Sequence, residues 1–359
     1  MSMSAQTTDT VSATRTMSAL VNYASTDRAV ELREVPIPTP GYGEVLLRVR
    51  AVGVCGSDLH QFHNTQSWPV NWPVTLGHEF CGEVAASGEG VEGWSPGERV
   101  ACETAAKICG VCALCRSGRY NLCPQRLGFG YGINGAAAAY VVARAPLLHR
   151  IPDTVSWEEA ALTEPCSVAL NATLEQSSPK PGDTVVVLGP GPVGLLCTSL
   201  LAATSPSHLV VVGLRRDAGR LELARSYGAT RVIISDEEDA QEVMRGIGDG
   251  LGADLVIDVA GVSATLRTAL NVVRPAGQIT KIGWGPQPLN FSLDPLVAKA
   301  VHLQGSFSHN WSTWERVLRL LGDGTLNVRP LINVFPLAQW HEAFEHMESG
   351  QIAKAVLIP

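Results

Sequence analysis

Four cysteines, Cys109, Cys112, Cys115 and Cys123, stand in the pattern C-x2-C-x2-C-x7-C. Four thiolates so close in sequence can surround one tetrahedral ion and leave no position open, which describes a structural zinc site. Cys123 is followed by Pro124, as in runs that hold iron–sulfur clusters, but the long gap before Cys123 fits that rival poorly. A second set lies upstream, in Cys55-Gly56-Ser57-Asp58-Leu59-His60 and then Gly77-His78-Glu79. A thiolate, an imidazole and a carboxylate are suitable zinc ligands. Taken alone, Cys55 reads as a small buried apolar residue and His78 as a satisfied structural histidine. The metal reading gains weight because these residues stand with the cysteine cluster and with a third motif. Val185-Val186-Val187-Leu188 leads into Gly189-Pro190-Gly191-Pro192-Val193-Gly194, a G-x-G-x-x-G run. Its glycines allow a tight turn and a close approach of backbone to pyrophosphate at a helix N-terminus. The run is weak evidence alone; a strand before it, a helix after it and a second strand at Val210–Leu214 strengthen it.

These residues need a scaffold, and the chain supplies two textures. Residues 17–165 carry short β-branched runs, such as 44–54 and 79–88, divided by turn signals at Pro40-Gly41 and Pro96-Gly97. This predicts a β-rich domain. From about residue 180, apolar strands alternate with helical stretches, which predicts a parallel sheet with crossover helices. The tail, 310–359, has a helical stretch and a strand-like end, and is expected to return to the first domain. The expected division is therefore an extension at 1–16, a first domain of 17–165 with 310–359, and a nucleotide-binding domain of 166–309. The length, 359 residues, agrees with about two domains.

Apolar residues make up 45% of the chain and charged residues 17%, a globular composition. The net charge of −7 argues against non-specific binding to nucleic acid or anionic lipid. The most apolar window, Val185 to Ala203, is broken by glycines and prolines and reads as strand, turn and helix rather than a membrane span. The Ser/Thr-rich start reads as a disordered extension, neither signal peptide nor anchor, so the cytoplasm is the expected location. Nine cysteines, four of them clustered, suggest metal binding more than disulfides.

The segments GVCGSDLHQF and GHEFCGEV and the four-cysteine lobe resemble the zinc-containing medium-chain dehydrogenase/reductase family, over nearly the whole chain from Met17. The resemblance implies an α/β architecture: a GroES-like β-rich catalytic domain plus a Rossmann doubly wound parallel-sheet domain, with the active site in the cleft between them. It implies two zinc ions per chain. Cys55 and His78 would bind the catalytic zinc, with Glu79 as a ligand or a neighbour of the ligands. Glu164, in Thr163-Glu164-Pro165-Cys166, matches the Glu-Pro motif of the sorbitol and threonine dehydrogenase branch, where a carboxylate replaces a cysteine at the metal. Cys166 keeps a sulfur ligand open. Ser57 and His60 match a proton relay from substrate to solvent. The implied reaction is hydride transfer between an alcohol or its ketone and NAD(P). Its implied form is a homodimer or homotetramer with a small-molecule substrate and no nucleic-acid or membrane partner. Gln61 and Phe307-Ser308-His309 replace a Tyr and an Arg-Tyr pair usual in sorbitol enzymes, so the substrate stays open among polyols, L-threonine and butanediols. A zinc protein without catalysis is a rival, set against by the intact ligand and relay residues. The cofactor expectation favours NADP(H), with NAD(H) as the alternative. The position of the usual ribose-binding acid holds Arg215, beside Arg216, and two guanidinium groups suit a 2′-phosphate. Asp217 would favour NAD(H) if the strand ran slightly longer.

Overall fold

The structure, a computed structural model, describes residues 15–359, so the extension expected at 1–16 lies almost wholly outside the described residues. Thr184–Leu188 (TVVVL) is buried along its whole length, as expected of a strand covered on both faces by helices. It sits inside a six-stranded parallel sheet. The order across the sheet is Arg231–Ile234, His208–Gly213, Thr184–Leu188, Ala253–Asp258, Val273–Lys281 and His302–Gly305. Numbered along the chain this is 3-2-1-4-5-6, the doubly wound order, whose crevice opens where the winding reverses beside the first strand.

A second, seven-stranded sheet is largely antiparallel. Its long strand Glu44–Gly53 pairs with Glu79–Ser87 on one side, with Gly53 opposite Glu79. The last strand of the chain, Lys354–Ile358, pairs with the end of the same long strand, Val356 opposite Gly53. The tail thus returns to the first sheet. A small sheet of Val30–Pro36, Thr16–Asn22 and Val74–Thr75 flanks it.

The two sheets are tied by the helix Thr163–Leu170, which packs on the helix Pro192–Ala202 and on the helix Trp311–Gly322. One core runs through both, joining Ala51, Cys81 and Val356 to Leu170, Val187, Leu196 and Trp314. Among the described residues no helix is long and apolar enough to cross a membrane.

Candidate active site

Cys55 lies two residues past the long strand Glu44–Gly53 and caps the helix Gly56–Phe62. Asp58, in the first turn, accepts the Cys55 backbone N–H at 2.9 Å, so the sequence that starts the helix also fixes the thiol's direction. His78 and Glu79 arrive from the neighbouring strand. Ligand atoms of Cys55, His78 and Glu79 all lie within 4.8 Å of one another. Asp58 Oδ1 stands 3.7 Å from His78 Nδ1. Burial presses the His78 imidazole toward its neutral form, but Asp58, Cys55 and Glu164 outweigh it and hold its proton affinity well above the ordinary value. Asp58 Oδ1, His78 Nδ1 and Glu79 Oε1 are buried without hydrogen-bond partners, while Glu79 Oε2 faces Lys354. A mixed sulfur, nitrogen and oxygen donor set in so negative a field fits a divalent cation.

Glu164 stands beside this trio rather than within it. Its Oε1 lies 3.1 Å from His309 Nε2. Trp314 Nε1–H donates to His309 Nδ1 at 2.6 Å. An indole nitrogen can only donate, so Nδ1 must accept, and the imidazole proton is on Nε2, facing the carboxylate. Burial works to raise the Glu164 pKa, but the His309 hydrogen bond and the His78 and Lys354 charges more than offset it. Cys166 is wholly buried in the shared core, and burial beside Glu79 and Glu164 pushes its thiol far up. Lys354, from the last strand, meets the Glu79 carboxylate and donates to the Val54 carbonyl at 2.8 Å; both charged side chains are buried. Ser57 Oγ lies 3.4 Å from His78 Nε2. His60, on the same helix, is exposed and has Thr65 Oγ1 3.0 Å from its Nδ1. The hydroxyl thus lies at the cluster and the imidazole at solvent, the order a proton exit requires.

The second cluster gathers Cys109, Cys112, Cys115 and Cys123, again with their sulfurs within 4.8 Å. Backbone N–H groups of Cys109, Cys112 and Cys115 point at cluster sulfurs at 3.3–3.4 Å. The Val111 and Cys112 amides pull the Cys109 thiol down to about 6, while burial pushes Cys115 up to about 12.

The glycine loop occupies the crevice of the parallel sheet. Gly189 has φ +101°, and a Cβ on Gly194 would fall 1.9 Å from the Gly189 carbonyl oxygen, so close packing of turn and helix requires both. Gly191 caps the helix Pro192–Ala202, with Pro192 and Val193 in its first turn, and a Cβ on Gly191 would meet nothing within 4 Å. That open helix N-terminus fits a pyrophosphate. At the end of the second strand, Arg215 and Arg216 form a 3₁₀ turn with Asp217. Asp217 does not extend the strand. Its carboxylate turns back to accept the Leu214 N–H at 3.0 Å and lies 3.6 Å from Arg220. Arg215 is mostly exposed, lies 3.1 Å from Glu237, and its N–H donates to Asp236.

Residues that the sequence reading passed over are Asp58, Lys354 and the contact of His309 with Glu164. Asp58 lay inside a motif already singled out. Lys354 had a faint signal, a lone charge in the apolar end IAKAVLIP.

A doubly wound domain with an open glycine loop, joined to a β domain that presents a Cys-His-Glu cluster, defines a nucleotide-dependent metal oxidoreductase. Residues 41–153 match the alcohol dehydrogenase GroES-like domain and residues 192–323 the zinc-binding dehydrogenase family. The chain is 37% identical to the sorbitol dehydrogenase of Halalkalibacterium halodurans, covering 96% of this chain and 99% of that one. It is 36% identical to the L-threonine 3-dehydrogenase of Pyrococcus horikoshii, covering 91% and 94%. A zinc-binding dehydrogenase from Sinorhizobium meliloti, solved with NADP bound, superposes with a TM-score of 0.87 at 28% identity, covering 96% and 100%. The chain belongs to the zinc-binding alcohol dehydrogenase family, in the branch that includes sorbitol and threonine dehydrogenases. It is an NAD(P)-dependent oxidoreductase of alcohols.

Proposed function

We propose that the enzyme oxidises a polyol or another secondary alcohol, or reduces the matching ketone, at the Cys55–His78 cluster. The observation that carries this reading is the cluster itself: three ligand types gathered in a negative pocket, with a serine hydroxyl at its edge. Cys55 and His78 would hold a zinc ion, with Glu79 and Glu164 as the carboxylates at or beside it. A zinc ion held there would supply Lewis acidity that eases loss of the alcohol proton near neutral pH, and a bound nicotinamide would accept the hydride. Ser57 Oγ takes the substrate proton and His60 passes it to water. The glycine loop Gly189–Gly194 holds the pyrophosphate. Cys109, Cys112, Cys115 and Cys123 would hold a second, structural zinc, making two per chain. The reaction unit is formed by residues 17–165 and 310–359 and the nucleotide unit by 166–309.

NADP(H) is the favoured cofactor. Asp217 is committed to its own turn, which leaves Arg215 and Arg216 as the charged groups after the second strand. A cytoplasmic homo-oligomer is the form this family reading carries with it. The deciding experiment is a screen of polyols, sugars, diols and L-threonine with NAD and NADP. Turnover of polyols with higher kcat/KM for NADP, lost in Arg215→Ala, is the expected result. Preference for L-threonine would move the substrate to the alternative of this branch. A preference for NAD untouched by Arg215→Ala or Arg216→Ala would remove the arginines from the cofactor site.

A further inference from the structure

The side chains around the Cys55–His78 cluster close into a ring. From Glu164 it runs to His309 at 3.1 Å, and from His309 Nε2 to Thr104 Oγ1 at 3.4 Å. Arg126 Nη2 donates to Thr104 Oγ1 at 2.9 Å. The Arg126 guanidinium lies 5.4 Å from the centroid of the Phe307 ring, and Phe307 meets Trp284 at 5.9 Å. Trp284 meets Trp68 at 5.8 Å, and Trp68 meets His60 at 6.3 Å. His60 shares its helix with Ser57, which returns the ring to His78. The ring draws on both sides of the cleft: His60, Trp68, Thr104 and Arg126 come from the first unit, and Trp284 follows a strand of the parallel sheet.

Most of this wall is aromatic, and Arg126 is its one permanent cation. Two of its contacts are neutral hydroxyls, Thr104 and Tyr131. Its Nε is buried without a partner, and among the described residues no carboxylate lies within ion-pair distance of it. A guanidinium carries five N–H donors, so several remain unused. The Phe307 face favours a cation beside it but does not neutralise it. Its neighbour in sequence, the cysteine lobe, holds it in place: the Arg126 N–H donates to the Cys123 carbonyl at 2.9 Å. A half-buried, pre-positioned and unpaired fork of donors is costly to maintain without an anion to receive it.

We infer that Arg126 binds an anionic group, a carboxylate or a phosphate monoester, at the end of the substrate remote from the reacting carbon. This deepens the proposed function and rests on the alcohol being oxidised at the Cys55–His78 cluster. Three contacts of hydrogen-bond length separate Arg126 from Glu164, a distance that a carbon chain of polyol length spans. The aromatic residues between them and the mouth would cover the C–H face of that chain.

The test compares matched sets of alditol, alditol phosphate and aldonate of differing chain length, with wild type and Arg126→Gln. In wild type, one anionic class should exceed the neutral alditol by about tenfold or more in kcat/KM, since hydrogen bonds to charged groups carry that much discrimination. The phosphate and carboxylate arms decide which anion is meant. Arg126→Gln should lose about 10- to 100-fold on the preferred anion, chiefly through KM, and far less on the alditol. Wild type that prefers the neutral alditol overturns the inference while leaving the dehydrogenase reading in place. So does an Arg126→Gln enzyme that loses equally on all three. If none of the three turns over, the proposed substrate falls. Calorimetric titration of alditol phosphate and aldonate into both proteins then decides Arg126, which requires at least about tenfold weaker anion binding in the variant.

Discussion

Replacing Lys354 by Met should cost more stability than any other single change near the cluster. The Lys354 ammonium and the Glu79 carboxylate are 2% and 0% exposed, so no water can take over for a missing partner. Methionine also cannot donate to the Val54 carbonyl, which now receives the Lys354 proton. Breaking a buried pair by removing one partner costs about 3–5 kcal/mol, because the other charge stays buried and uncompensated. For a unit of this size that is a fall in Tm of about 6–20 °C. The assay is calorimetry of purified Lys354→Met, Glu79→Gln and the double variant. Removing both charges should restore part of the loss, leaving the double variant more stable than Lys354→Met alone. Gly53→Ala offers an independent perturbation, since its Cβ would fall 2.3 Å from Glu79 Oε2 and push the carboxylate off the lysine. A Lys354→Met protein that melts within about 2 °C of wild type, or a double variant no more stable than it, would refute the reasoning.

Elemental analysis should find about two zinc ions and negligible iron per chain, since each cluster needs its own ion. Cys112→Ser should lower Tm with kcat of the surviving fold nearly intact, because a structural ion contributes folding energy; one zinc or less with full activity would refute the two-site reading. Ser57→Ala should lose about 10²–10⁴-fold in kcat while keeping its zinc and its nucleotide affinity, and unchanged turnover across pH would exclude the relay. His309→Phe should weaken zinc retention about 10- to 100-fold in competition with a chelator, and His309→Gln, which keeps a donor toward Glu164, should retain more. Equal zinc retention in both variants would remove His309 from any role at the metal.

The two cysteine-bearing clusters and the glycine loop were legible because their chemistry demands particular residue types at short spacing. The loop also announced its setting, since a β-branched run before Gly189 and a helix after Pro192 are local preferences. The return of the tail was visible as a strand-like end, but its partner was not. Pairing of Val356 with Gly53 is a matter of register between segments far apart in sequence. Lys354 escaped notice for that reason: its counter-ion is chosen by the sheet. The His309 contact escaped likewise, because its proton is fixed by Trp314 and its acceptor lies on a helix from another part of the chain. Asp217 shows the reverse case. Its position just past the second strand left it a candidate for the ribose, and in the structure its carboxylate accepts the Leu214 N–H.

The strand Lys354–Ile358 also sets an order of assembly on the ribosome. The β domain begins with the first described strand, yet its sheet lacks two members until residues 332–358 have been made. Until then the Val52–Gly53 end of the long strand lacks its partner on one side, and Glu79 lacks the Lys354 ammonium. The parallel sheet, by contrast, is complete at Gly305 and can fold before residues 332–358 appear. Arg220, on that domain's helix, then presents its guanidinium to the carbonyls of Met347 and Ile352 just before the last strand. The β domain is therefore completed after the parallel sheet, and the Cys55–His78–Glu79 cluster takes its final form only once residues 354–358 have been made.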